Sequence, residues 1–234
     1  MTSNPRTIVI TGAAGNLGMA VAQVFAHEGA QLVLLDRAPI GDAALASLAP
    51  AQCLPIALDL CDAAQVAAAV AQALARFGCI DVLCNLTGGF AMGDAVHATC
   101  DSTWDFLHDI NVRTLRNTSR AVVPQMLRQG GGKIVNVGAY SAQRGLAHMG
   151  AYTAAKSEVL RLTEAMAAEL RAKNINVNCV LPSILDTPQN RTDMPDADPA
   201  RWVSPHDLAQ VIAFLTSDAA RAIHGAAVPV TGLS

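Results

Sequence analysis

Short apolar runs alternate along the chain with longer amphipathic stretches that are rich in Ala. Seven short runs are mostly apolar, which is typical of strands buried on both faces of a parallel sheet. These predicted strands are residues 7–10, 31–36, 54–57, 81–85, 133–137, 176–181 and 226–230. The predicted helices are residues 17–28, 63–77, 103–129, 151–173 and 205–216. Strands that alternate with helices predict an α/β fold, a doubly wound seven-stranded parallel sheet with helices on both faces.

Nothing in the composition divides the chain into parts. The sequence has no linker-like segment and no internal repeat, so we predict a single domain over residues 1–234. The Pro- and Asp-rich stretch 186–205 is predicted as one long loop. Loops of that length inside a compact domain are often functional, and we interpret this one as a substrate lid.

Composition and charge exclude several classes of protein. The chain is 52% hydrophobic and 15% charged, with a net charge of −3 and scattered Lys and Arg. It therefore has no basic patch for a nucleic acid or an anionic membrane, and no apolar run of membrane-spanning length. The six Cys form no CxxC pair and the six His no HExxH pattern, so no metal site is predicted. We expect a cytoplasmic protein with reduced cysteines.

The stretch from Ala151 to Lys156 carries the strongest catalytic signal. Tyr152 and Lys156 are four residues apart on a predicted helix, so their side chains lie on one face. A phenol has a pKa of about 10, and a neighbouring ammonium lowers that pKa, which makes the phenol a better proton donor and acceptor. Many solvated helices carry such a pair, so its interpretation depends on the rest of the sequence.

A glycine-rich turn lies between the first strand and the first helix, with Gly12, Gly15 and Gly18 spaced three apart. Glycines there allow a tight turn and let a pyrophosphate approach the positive end of the helix. Asp36 ends the second strand, where a carboxylate accepts hydrogen bonds from the adenosine ribose and repels a 2′-phosphate. The pattern predicts NAD as the cofactor and disfavours NADP, although Arg37 could accommodate the phosphate.

In this order, the motifs resemble those of the short-chain dehydrogenase/reductase family across nearly the whole chain. The glycine turn is similar to the family's TGxxxGxG loop, with the middle Gly displaced by one place and Asn16 in its position. The resemblance continues through Asp59-Leu60, the NNAG-like segment Asn85-Leu86-Thr87-Gly88, Asn111, the YxxxK pair, and Pro182-Ser183 with Thr187. The cofactor-binding residues that it implies are Gly12, Gly15, Asn16, Leu17, Gly18, Asp36, Arg37, Asp59, Leu60, Asn85, Gly88, Tyr152, Lys156, Pro182 and Thr187.

The resemblance implies a Rossmann-type fold and an enzyme that transfers a hydride between a nicotinamide cofactor and a small carbonyl or alcohol substrate. In such an enzyme Tyr152 exchanges a proton with the substrate oxygen. Lys156 holds the nicotinamide ribose and lowers the Tyr152 pKa, and Asn111 anchors a water in the proton relay. The resemblance also implies a homotetramer or homodimer, formed through the long helices 103–129 and 151–173 and the last strand.

One member of the family's catalytic set is absent. The resemblance places a Ser thirteen residues before the Tyr, where it hydrogen-bonds the substrate carbonyl, and this chain has Ala139 there. Ser141 could replace that Ser if the strand ends and the backbone turns inward, or it could simply satisfy local backbone groups. Dihydropteridine reductases similarly combine the YxxxK pair with an Ala, which by analogy points to a quinonoid or imine substrate. The competing hypothesis is a catalytically weak or inactive dinucleotide-binding protein with a sensing or assembly role.

Two segments are candidates for the substrate pocket. Phe90 and Met92 follow the fourth strand, where they either line an apolar pocket or pack beneath the next helix. In the predicted lid, Arg191 and Arg201 either meet an acidic substrate or remain solvated surface charges. None of these motifs identifies the substrate.

Overall fold

The computed structural model describes residues 5–234, and its sheet has seven strands, each parallel to its neighbours. The strands are β1 (Thr7–Thr11), β2 (Gln31–Asp36), β3 (Cys53–Ala57), β4 (Val82–Asn85), β5 (Gly132–Val137), β6 (Ile175–Pro182) and β7 (Ala227–Val230). Their order across the sheet is β3-β2-β1-β4-β5-β6-β7. Every predicted strand is confirmed, with bounds that differ by at most one residue at either end.

Helices cover both faces of the sheet, as predicted. They are α1 (Asn16–His27), α2 (Asp42–Ala46), α3 (Ala63–Phe77), α4 (Asp101–His108), α5 (Thr114–Gln129), α6 (Gly150–Leu170), α7 (Pro188–Asp193) and α8 (Pro205–Leu215). Helices α1 and α8 pack on one face, and α3, α5 and the end of α6 pack on the other. Within residues 5–234, no helix has the length and apolar character needed to cross a membrane.

The alternation of side chains along β1 explains why the strands are continuously apolar. Ile10 lies in a core with Phe25 of α1 and Ile212 of α8, whereas Val9 lies in the opposite core with Val122 of α5. Because both faces of the strand are buried, apolar side chains occupy its consecutive central positions. Burying one such side chain stabilises the fold by roughly 1.5–3 kcal/mol.

The predicted helix 103–129 is not one regular α-helix. Helix α4 passes into a π-helical turn over Asp109–Arg113 and then into α5. A π-turn accommodates one extra residue, and such turns are frequent at functional sites. Asn111 lies inside this turn. The predicted helix 151–173 likewise ends in a separate 3₁₀ turn, Arg171–Lys173.

The prediction of one long loop over residues 186–205 is wrong. The segment contains α7 and a 3₁₀ turn, Pro199–Arg201, and Leu185 pairs with Val203 as an isolated parallel bridge. The physical reason is that its prolines begin helices, because a proline at the first helical position loses no hydrogen bond there. Thr187 and Asp198 cap these two short helices with their side-chain oxygens.

The strand order places a crevice at the carboxyl ends of β1 and β4. The chain continues from β1 to β2 on one side of the sheet and later returns to β4 on the other. Thr11 at the end of β1 pairs with Asn85 at the end of β4, so the glycine turn and the NNAG-like segment are neighbours. Open α/β sheets bind their ligands in the crevice at such a switch point.

Candidate active site

The glycine turn after β1 is shaped by Gly12 and Gly18. Gly12 has a φ of +67°, which other residues rarely adopt, and a Cβ on Gly18 would collide with the Gly12 carbonyl oxygen. Gly15 is the exposed N-cap of α1 and provides no side-chain cap, and the first turn of α1 has no acidic residue. The N–H groups of Asn16 and Leu17, in that first turn, therefore remain available to an anion.

Asp36 at the end of β2 lies against the glycine turn. Its carboxylate accepts hydrogen bonds from the backbone N–H of Ala14 at 2.9 Å and of Ala38 at 3.1 Å. Arg37 beside it is exposed, and its side chain makes no hydrogen bond within residues 5–234. The structure thus brings the predicted ribose acceptor and the predicted pyrophosphate turn to one place.

Asp59 and Leu60 follow β3 at the edge of the same crevice. Asp59 is exposed and accepts a hydrogen bond from the backbone N–H of Cys61 at 2.8 Å. Leu60 is buried, and its carbonyl oxygen accepts a hydrogen bond from Asn117 Nδ2 at 2.9 Å. Asp59 therefore holds the loop in shape while part of its side chain faces solvent.

The side chain of Asn85 belongs to a buried network beneath the crevice. The Thr118 hydroxyl donates to Asn85 Oδ1 at 2.6 Å, and Asn85 Nδ2 donates to Asn136 Oδ1 at 2.9 Å. Asn136 Nδ2 in turn donates to the Thr163 hydroxyl at 2.9 Å. The network joins α5, β4, β5 and α6, so the Asn85 amide supports the site from inside.

Gly88 lies between two of the predicted catalytic side chains. A Cβ on Gly88 would lie 3.0 Å from Lys156 Nζ and 2.9 Å from Asn111 Oδ1. Asn111 is fixed by three hydrogen bonds: its amide donates to Gly89 O and Leu107 O, and its Oδ1 accepts from Gly89 N. Lys156 is only 5% exposed and donates to the Val137 carbonyl oxygen at 2.9 Å. The structure therefore brings Lys156, Asn111 and Gly88 together.

Burial determines the pKa values of the Tyr–Lys pair. It lowers the pKa of Lys156 to about 8 and raises the pKa of Tyr152 to about 12. The sequence predicted a lowered Tyr152 pKa, so the direction is opposite in this structure. The reason is that desolvation of the phenolate dominates, since the ring of Tyr152 is packed edge-on against Phe90 with a centroid separation of 4.8 Å. The phenol is consequently protonated throughout the neutral range.

Ala139 lies where the missing Ser is expected. It is 5% exposed and extended, and it precedes the 3₁₀ turn Tyr140–Gln143. Strand β5 has ended at Val137, so Ser141 lies on this turn, which meets the first condition for its replacing the Ser. Ser157 on α6 fixes the turn by donating to the Ala142 carbonyl oxygen at 2.9 Å. The Ser141 hydroxyl makes no hydrogen bond to another residue in the range 5–234.

The remaining predicted residues lie at the end of β6 and after it. Pro182 is the buried last residue of β6, and the Thr187 hydroxyl accepts a hydrogen bond from Asn190 N at 3.2 Å as the cap of α7. Arg191 binds both carboxylate oxygens of Asp186, at 2.6 and 2.8 Å, and Arg201 donates to the Leu233 carbonyl oxygen at 2.8 Å. Both arginines are exposed, in agreement with the alternative of surface charges, and each also has a protein partner.

Phe90 and Met92 form an exposed apolar rim beside Tyr152. Their exposed fractions are 56% and 59%, which excludes the alternative that they pack beneath the next helix. Sequence reasoning missed two further features. The Thr87 hydroxyl is buried against Gly12 with no partner within residues 5–234, and a small polar cavity lies next to the rim. The altered NNAG segment, which contains Thr87, was a sequence signal for the unpartnered hydroxyl. No local sequence signal indicated the cavity.

Comparison with known proteins decides the family. Residues 6–198 match the sequence model of the family described as short chain dehydrogenase. The chain belongs to the short-chain dehydrogenase/reductase family. It is therefore an oxidoreductase, as the motifs from Gly12 to Thr187 predicted.

Named relatives of this short-chain dehydrogenase/reductase cover nearly its whole length. The 3-oxoacyl-[acyl-carrier-protein] reductase of Thermotoga maritima is 30% identical and covers 97% of this chain and 96% of its own. The crystal structure of levodione reductase superposes with a TM-score of 0.90 at 30% identity, covering 97% and 96%. The carveol dehydrogenase of Mycobacterium avium, solved in complex with NAD, gives a TM-score of 0.87 at 27% identity, covering 97% and 96%.

Proposed function

We propose that this short-chain dehydrogenase/reductase transfers a hydride between NAD(H) and a small carbonyl or alcohol, or a quinonoid or imine analogue, with Tyr152 as the proton donor and acceptor. The observation that carries the proposal is the position of Lys156. Its buried ammonium contacts the Val137 carbonyl oxygen and lies against Gly88 and Asn111, one helical turn from Tyr152. A buried charge needs acceptors, and only one of its three N–H donors has a protein acceptor within the described chain.

The residues around the crevice fit a dinucleotide. The uncapped N-terminus of α1 suits the pyrophosphate, and the glycines of the turn before it let the backbone approach that group closely. Lys156 would hold the nicotinamide ribose, and Pro182 and Thr187 would border the nicotinamide. When bound, the nicotinamide ring supplies the hydride or accepts it.

Asp36 supports NAD over NADP. Its carboxylate is held at the glycine turn by two backbone N–H groups, where it would meet the ribose hydroxyls and repel a 2′-phosphate. Arg37 is the one neighbouring side chain here that argues for the phosphate. The NAD complex of the related carveol dehydrogenase is consistent with the same preference.

Tyr152 acts as the acid in the reducing direction. With a pKa raised to about 12, the phenol holds its proton until a substrate oxygen or nitrogen gains negative charge beside it. The ammonium of Lys156 stabilises the phenolate that results, and Asn111 fixes the backbone around Gly89 next to both groups. Protons then return to Tyr152 from solvent.

Ala139 narrows the range of substrates. A methyl group there cannot donate to a developing oxyanion, and loss of one such donor costs on the order of 10²–10³ in rate. Quinonoid and imine substrates tolerate this loss, because their reacting bond needs little polarisation. A ketone tolerates it if the Ser141 hydroxyl donates a hydrogen bond to the ketone oxygen instead. The same buried methyl favours the second candidate function, a dinucleotide-binding protein with weak or no turnover.

The experiment that separates the two functions is a substrate panel. NADH oxidation would be followed with ketones, quinones and a quinonoid pterin, and NADH binding would be measured on the same protein by fluorescence. Turnover of any class supports the enzyme. Tight NADH binding with no turnover of any class contradicts it and leaves the binding function.

We further propose a cytoplasmic homotetramer or homodimer. All six cysteines are free, as a reducing compartment allows. Phe106 on α4 and Leu127 on α5 are about half exposed, and these helices are the contact elements that the family resemblance implies. Sedimentation equilibrium tests the assembly.

A further inference from the structure

A small cavity of about 80 Å³ lies between the loop after β4 and the start of α6. The loop is fixed to the helix start, because Gly93 N donates to the His148 carbonyl oxygen at 3.0 Å. Gly150 is also in close contact with Val96 of the loop, since a Cβ on Gly150 would lie 2.5 Å from Val96 Cγ2. The cavity is therefore framed by two segments that hold each other in place.

Polar residues from both segments line this cavity, among them the exposed residues Asp94 from the loop and His148 from the approach to α6. Neither side chain makes a hydrogen bond or ion pair with any residue between 5 and 234. Thr99 also lines the cavity, and its hydroxyl donates to the Ala95 carbonyl oxygen, which leaves the oxygen as an acceptor. The lining is thus rich in hydrogen-bond acceptors, and Asp94 makes it negative.

The backbone of His148 is held in an uncommon conformation. Its φ of +63° lies in the left-handed region, where a residue with a Cβ is rarely found. Such conformations persist where the surrounding structure fixes them, and they are frequent at binding sites. Here the bond from Gly93 N fixes the peptide of His148, an exposed residue that lines the cavity.

The cavity adjoins the reacting end of the site. Gly150 and Ala151 line it and directly precede Tyr152 on α6, and Ala91 lines it next to Phe90, which contacts the Tyr152 ring. Its volume has room for several waters, because a cavity holds one water from roughly 10–15 Å³ upward. The cavity thus has room for a small polar group, and the exposed apolar side chains of Phe90 and Met92 lie next to it in the chain.

We propose that this cavity is a second substrate subsite, which binds a hydroxyl or ammonium group carried by an otherwise apolar alcohol or ketone and disfavours a carboxylate. Asp94 is its specificity-determining residue. The subsite rests on the proposed function, because it assigns the distal end of the substrate on which Tyr152 acts.

The test uses four matched alcohols with NAD: cyclohexanol, cyclohexane-1,4-diol, trans-4-aminocyclohexanol and 4-hydroxycyclohexanecarboxylate. We expect the wild type to prefer the diol and the amino alcohol to cyclohexanol, and to use the carboxylate least. Asp94→Asn should lower kcat/KM for the amino alcohol about tenfold, lower it less for the diol, and raise it for the carboxylate. Asp218→Asn, at an exposed Asp in the turn after α8, is the matched control and should change none of them.

Equal kcat/KM values for the four alcohols, or an equal effect of Asp94→Asn on all of them, would overturn the subsite while leaving the proposed function intact. If a wild type that binds NAD oxidises none of the four alcohols, the proposed function is still decided by the substrate panel. In that case calorimetric titration of trans-4-aminocyclohexanol into the NAD complex decides the subsite. A dissociation constant at least fivefold weaker in Asp94→Asn supports it, and an unchanged one overturns it.

Discussion

The ammonium of Lys156 donates a 2.9 Å hydrogen bond to the carbonyl oxygen of Val137, the last residue of β5. This bond ties the catalytic face of α6 to the carboxyl end of the sheet. It also fixes Nζ against Gly88, where only a glycine leaves room. The site is therefore built by backbone positions as much as by the side chains that perform the chemistry.

Gly88→Ala tests that arrangement. The added methyl would lie about 3 Å from Lys156 Nζ and Asn111 Oδ1, so one of these groups has to move. We expect a loss of about 1–3 kcal/mol in the free energy of unfolding and a NADH affinity at least tenfold weaker. Chemical denaturation and NADH fluorescence titration measure the two effects. Gly145→Ala, where an added Cβ meets nothing within 4 Å, is the matched control and should change neither.

The lowered pKa of Lys156 predicts that the stability of the cofactor-free protein depends on pH. Burial lowers that pKa from 10.5 to about 8, so between about pH 8 and 10 the unfolded chain retains a proton that the native state has released. Since the unfolded state then binds more protons, the free energy of unfolding rises with pH, by about 2–3 kcal/mol over this window. The free energy of unfolding is measured by denaturation at each pH for wild type and Lys156→Met. Subtracting the variant's values from those of wild type removes the pH dependence that the buried thiols and Tyr152 contribute to both proteins. A pH-independent difference would contradict the buried position of Lys156.

Replacement of Thr by Val should change the free energy of unfolding in opposite directions at Thr87 and at Thr118. The Thr87 hydroxyl is buried without a partner in the described chain, so Thr87→Val removes an unsatisfied polar group and should raise the free energy of unfolding by about 1 kcal/mol. The Thr118 hydroxyl donates to Asn85 Oδ1 at 2.6 Å, so Thr118→Val should lower it by about 1–3 kcal/mol. Urea denaturation of both variants measures the signs. Destabilisation by Thr87→Val would indicate that its hydroxyl has a partner.

The fold was predictable because burial on both faces of the sheet leaves a direct apolar pattern. β2 and α3 were predicted with the bounds that the structure has. The segment after β6 was misjudged because proline is a signal both of loops and of helix starts, and only the caps Thr187 and Asp198 distinguish the two. Tertiary context reversed the direction of the Tyr152 pKa, because the sequence gives no measure of burial. Asp94 and His148, far apart along the chain, line one cavity only because of the fold.

Ala139→Ser tests whether the absent hydroxyl limits the rate on simple ketones. Ala139 precedes a turn held against α6, so a Ser there should enter the site without reshaping it. We expect kcat on ketones to rise at least tenfold, since one oxyanion donor contributes on the order of 10²–10³ in rate. Ala147→Ser, on the exposed stretch after the turn, is the control and should have no effect. If Ala139→Ser changes nothing while Ser141→Ala abolishes turnover, Ser141 already supplies the donor.

We propose above all that Tyr152 transfers the proton while other residues hold NADH. The most direct test is a single-turnover measurement of NADH oxidation by wild type and Tyr152→Phe, on the substrate class that the panel identifies, with the NADH dissociation constant measured on both proteins. We expect a rate at least about 10³-fold lower in Tyr152→Phe, on the scale of general acid catalysis, with an NADH dissociation constant changed by no more than about threefold. A variant that oxidises NADH as fast as wild type would contradict it.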